Sequence, residues 1–131
     1  MSRREVRLPN DGGIVRVENT MFEISLGSMP PETIIAELLL LSEGLVPELS
    51  LRHLREETKV RLSVTETHAR SVGTIMDDGL HLGLSRTELE SWIAFFLRYY
   101  RDGVAQVNHL DLEAHRVDNE AETVDVILRV G

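Results

Sequence analysis

The chain of 131 residues has no cysteine. That excludes a disulfide framework, a thiolate zinc site and thiol catalysis, and it fits a reducing cytoplasm. Long apolar runs are missing too. The longest, Ile34 to Leu41, is interrupted by Glu37 and falls well short of the about 20 residues a bilayer-spanning helix needs. The first residues, MSRREVRLPNDGG, carry charge where a secretory leader would have an apolar core, so neither export nor a membrane partner is expected. No internal repeat, low-complexity segment or flexible linker stands out, and one domain over residues 1–131 is expected. The glycines form no phosphate-binding fingerprint, and no serine sits in a Gly-x-Ser-x-Gly elbow. No cofactor is called for.

What is present is acid. The formal net charge is −8, which repels bulk nucleic acid and anionic membrane surfaces. The charge is uneven. Residues 1–58 hold 6 basic and 10 acidic groups, residues 102–131 hold 2 and 7, and residues 59–101 hold 6 and 5. The middle of the chain is therefore its only part that is not acidic.

Residues 4–26 read as a β-meander. Val6 and Leu8 share a face, Pro9 to Gly13 is a turn cluster, and Phe22, Ile24 and Leu26 alternate with polar residues. Pro30-Pro31-Glu32-Thr33 opens a helix running to about Ser42, apolar around much of its girth. Ser50 reads as the N-cap of a short helix, 51–57. Val60, Leu62 and Val64 then alternate with Lys59, Arg61 and Ser63 as a strand. Ala69, Val72, Met76 and Leu80 follow helical spacing, ended by Gly79 or Gly83. Ser85 with Glu88 makes a capping box for a second helix through Tyr100. A C-terminal hairpin follows, with Leu110, Leu112 and Ala114 on one strand and Val124, Val126 and Leu128 on the other. The expected fold class is α+β, an antiparallel sheet from the N-terminal meander and the C-terminal hairpin packed on a helical middle.

The order strand, helix, Gly83-Leu84-Ser85-Arg86-Thr87 turn, helix over residues 59–100 resembles a ribbon-helix-helix DNA-binding unit. In that family two chains pair one strand each into a ribbon that enters the major groove. The resemblance implies a homodimer on duplex DNA, with Lys59, Arg61 and Ser63 reading base edges. Ser85, Arg86 and Thr87 would hold a phosphate at the second helix's N-terminus.

Two further groups have chemistry attached. Strand periodicity puts His109, Asp111, Glu113 and His115 on one face, and these are metal-ligand types. Same-face neighbours along a strand sit about 6.6–7 Å apart, so a solvated face explains them without a metal. Trp92, Phe95 and Tyr99 are candidates for an interface, where aromatics are enriched. Two functions are expected from these patterns: a small dimeric DNA-binding regulator, or a non-enzymatic acidic interaction protein, such as an immunity or inhibitor protein or an assembly subunit, binding a basic protein partner.

Overall fold

A computed structural model describes residues 4–53, 55, 57–65, 70–103, 109–117 and 122–130. They form nine strands and two helices. The strands are β1 (Arg4–Leu8), β2 (Gly13–Glu18), β3 (Met21–Ser25), β4 (Leu49–His53), β5 (Lys59–Val64), β6 (Val72–Met76), β7 (Gly79–Leu84), β8 (His109–Arg116) and β9 (Thr123–Arg129). Helix α1 (Pro31–Ser42) follows β3, and α2 (Arg86–Asp102) follows β7.

All nine strands join one sheet in the order β1-β4-β5-β7-β6-β8-β9-β3-β2. The pairs β1/β4, β5/β7, β6/β8 and β3/β9 are parallel, and β2/β3, β4/β5, β6/β7 and β8/β9 are antiparallel. The sheet is thus mixed, which overturns the expected antiparallel sheet on a helical middle. The N-terminal meander is also corrected. β2 and β3 are a hairpin, but β1 pairs in parallel with β4, a partner distant in sequence.

Two expected helices are strands. Residues 51–53 belong to β4. Residues 72–84 are the β6–β7 hairpin, turned at Asp77-Asp78. The spacing of Val72, Met76 and Leu80 suits a helix, yet Leu80, Leu82 and Leu84 at period two are all fully buried and pair with β6 and β5. That row of long-range contacts decides against the helical reading. Ala69, expected to lie on that helix, is outside the described residues.

β1 and β2 are the two edges of the sheet, yet only four residues separate them. A flat sheet would hold those edges about 38 Å apart, at about 4.8 Å per strand. The connecting chain spans at most about 19 Å, at about 3.8 Å per Cα step. The sheet must therefore coil, and β2 does come to lie against β4. The coil closes around α1 and α2, which pack on each other and on the same sheet face. Val6, Leu8, Phe22, Ile24, Leu49, Leu51, Val60, Leu62, Leu82, Leu112, Val126 and Leu128 from the sheet meet Ile34, Leu38 and Leu41 of α1 and Leu89, Trp92 and Phe96 of α2 in one core. Arg4 ties edge strand β1 to α1 through two hydrogen bonds from its guanidinium to Glu37, 3.0 and 2.6 Å. Glu37 is the residue that interrupts the longest apolar run.

The topology contains a repeat that the sequence conceals. β2-β3-α1-β4-β5 and β6-β7-α2-β8-β9 are two copies of one ββαββ unit. The units join through two seams of the same kind, β5 parallel to β7 and β9 parallel to β3. The register agrees residue by residue. Lys59 faces Gly79 as Asp125 faces Met21, and Ser63 faces Gly83 as Arg129 faces Ser25. Even the flanking backbone bond recurs, Lys59 N–H to Asp78 O at 2.9 Å and Asp125 N–H to Thr20 O at 2.8 Å. A pseudo-two-fold therefore relates the halves, and β1 is the addition that lacks a counterpart among the described strands. The expectation of no internal repeat is corrected: the repeat lies in the pairing pattern, because the two units keep apolar alternation while sharing few identical residues.

Candidate functional site: the outer face of the sheet

Both helices cover one face of the sheet, so the alternate residues of each strand form an outer face that no described element covers. The pseudo-two-fold divides this face into two corresponding halves. Their chemistry differs.

On the first half, Arg52 of β4 stands opposite Lys59 of β5. Two like charges directly across a ladder repel, and here each has an acid to answer it. Arg52 Nε lies 2.8 Å from Glu5, Lys59 Nζ 3.8 Å from Asp78, and Arg61 Nη2 2.8 Å from Asp78 with its Nε 3.6 Å from Glu48. This patch is internally neutralised.

On the second half, the corresponding pair is Glu113 of β8 opposite Asp125 of β9. The same sheet position thus holds two acids where its mate holds two bases. Among the described residues neither carboxylate has an ion-pair or hydrogen-bond partner. Asp111, two residues before Glu113 on the same face, has a side chain 70% exposed and lies 3.8 Å from His109. Asp111, Glu113 and Asp125 line a groove of about 380 Å³ together with Met21, Leu112, Val126 and Ile127. The arrangement is acidic, partly apolar and open, which suits cationic side chains on aliphatic stems.

The two seams differ as well. Arg129 donates to Glu23 at 2.6 Å across β9/β3. At the matching place across β5/β7, Ser63 Oγ lies 3.2 Å from His81 Nε2 in a groove of about 450 Å³ lined also by Val64, Thr65, Val72, Thr74 and Gly83. A serine beside an imidazole is the start of a nucleophile, but among the described residues no carboxylate lines this groove to orient the ring, and the strand amides around it serve the ladders.

The residues expected to read DNA are outward on β5, as their alternation requires. β5 itself is paired on both edges, with β4 and with β7, so within this chain it is an internal strand. Ser85 is buried and acts as the N-cap of α2. Its Oγ accepts from the Glu88 N–H at 3.2 Å and its own N–H donates to Ser71 Oγ at 3.0 Å. Arg86 donates to the Ser42 carbonyl at 3.2 Å, and Thr87 is exposed beside it. Trp92 and Phe95 are buried among the core side chains, and Tyr99 is half-buried.

His109, Asp111, Glu113 and His115 do share one face of β8. They do not converge, since His115 Nε2 is 2.9 Å from the Arg70 guanidinium while His109 turns to Asp111. Among the described residues no cluster of three such groups could hold a metal ion. Asp125 is the residue of this face that the sequence reading omits. Its place outward between Val124 and Val126 was legible, but its register against Glu113 was not. Among the described residues no helix is long and apolar enough to cross a membrane. Comparison with family models, curated proteins and solved structures finds no match for the chain.

Proposed function

We propose that this chain is a non-enzymatic cytoplasmic interaction protein that presents the outer face of β8 and β9 to a basic segment of a protein partner. The observation that carries this reading is the uncompensated cross-strand pair Glu113–Asp125. Opposed like charges work against the fold, and the two-fold mate of the same position is neutralised by neighbouring acids. A basic partner would supply for the acidic half what Glu5 and Asp78 supply for the other. The net charge of −8 steers such a partner toward the chain.

A DNA contact draws less support from the arrangement. The helix between the strand and the Gly-Leu-Ser turn is replaced by the β6–β7 hairpin, and Lys59 and Arg61 are engaged by Asp78 and Glu48. The test is a titration of fluorescent lysine-rich peptide with the full chain, followed by anisotropy. Binding should weaken steeply with salt and drop at least about tenfold in the double variant Glu113→Gln/Asp125→Asn. Peptide binding untouched by that variant would overturn the reading, and salt-sensitive binding of duplex DNA lost in Arg61→Ala would replace it with the regulator.

A further inference from the structure

The pseudo-two-fold also bears on how a partner could dock. In the first unit, β4 has β5 on one edge and β1 on the other, and β1 covers β4 over its whole length from Leu49 to His53. The register equates Leu49, Leu51 and His53 of β4 with Leu110, Leu112 and Ala114 of β8. β8 has β9 on one edge. On its other edge the described residues supply β6, which pairs with His115 and Arg116, and Ser71 just before it, whose carbonyl accepts from the His115 N–H at 3.0 Å. Over Leu110–Ala114 the second unit thus has, among the described residues, no counterpart of β1.

We propose that this edge of β8 accepts one added strand, an extended segment of the basic partner laid parallel to β8 as β1 is laid parallel to β4. The proposal rests on the basic-partner reading above and deepens it. An unpaired strand edge offers a row of backbone donors and acceptors, and strand addition uses them for affinity while alternate side chains give specificity. β1 supplies the template for those side chains. Val6 and Leu8 point inward opposite Leu51 and His53, while Glu5 and Arg7 point outward opposite Ser50 and Arg52. Transposed to β8, the incoming segment sets apolar residues opposite Leu112 and Ala114. Its outward residues fall opposite Asp111 and Glu113, where charge selects lysine or arginine. The segment that fits is therefore one of alternating basic and aliphatic residues.

The test uses the full chain, labelled with ¹⁵N, and a capped octapeptide of alternating lysine and valine as the probe. Two further probes carry N-methyl groups on either the odd or the even amides. An added strand turns one set of amides to β8 and the other to solvent, so one methylated peptide should bind like the parent and the other at least tenfold more weakly. The amides of Asp111 and Glu113, which face that edge as the His115 amide does, should gain protection from exchange in the complex. A charge swap supplies the second arm. Glu113→Arg, which gives β8 the residue β4 holds at that place, should lose the lysine peptide and gain one of alternating glutamate and valine. If both methylated peptides bind like the parent, strand addition is overturned while the acidic-face reading survives. If the unmethylated lysine peptide fails to bind, or binds without regard to Glu113, both readings fall.

Discussion

Gly79 opens β7 with φ of +143°, and a Cβ there would overlap the carbonyl oxygen of Lys59. An alanine must both adopt a backbone conformation that L side chains rarely reach and push apart two paired strands. Gly79→Ala is expected to destabilise the chain by about 3 kcal/mol or more, measured by urea unfolding. Ser85→Ala removes the α2 N-cap and should cost about 1 kcal/mol in the same measurement. Asp11 links two turns, its Oδ1 accepting from the Ser28 N–H at 3.1 Å and from the Ser28 hydroxyl at 3.0 Å. The bond from the Ser28 amide holds its carboxyl below the usual carboxylate range. A group with a depressed folded pKa stabilises above its unfolded pKa and loses that contribution as pH falls through the folded value. The stability difference between the parent and Asp11→Ala should therefore be full at neutral pH and shrink below the ordinary aspartate range. At this scale much was legible: the Ser85 cap, the outward row on β8 and the core alternation all follow from neighbours within a few residues.

The β8–β9 hairpin makes a claim in which stability and function oppose each other. Glu113→Lys replaces a cross-strand repulsion with an attraction to Asp125, so the variant should be more stable than the parent by about 0.2–1 kcal/mol while losing the lysine peptide. Thermal unfolding and the anisotropy titration, run on one preparation, check both halves. Elements were read well where a segment is long and periodic, as in α1 and α2, or where apolar residues alternate between turn residues, as in β5 and β9. The reading failed at β4 and at β6–β7. Both are short, and in β6 the inward positions are Gly73 and Ile75, which leave little alternation to see. The Asp78-Gly79 pair is the available hairpin signal, but behind a run of helical spacing the same glycine also fits a helix end. Without that helix the resemblance to a strand-helix-helix unit loses its middle element.

At the scale of the whole molecule, the fold is two ββαββ units joined edge to edge, coiled around their two helices, with β1 added to one of them. Little of this was readable from one sequence. Four of the eight strand pairs are parallel and therefore join segments far apart in the chain, and no local pattern encodes which segments these are. The opposition of charge between the halves depends on that register, so the site became visible only with it. The most direct test maps where a basic ligand lands. In a ¹⁵N titration of the full chain with the lysine–valine octapeptide at low salt, the account predicts shifts at Asp111, Glu113 and Asp125 and along Leu110–Ala114, reversed by high salt, with Lys59–Ser63 unmoved. Shifts spread evenly over the acidic surface, or centred on β4 and β5, would contradict it.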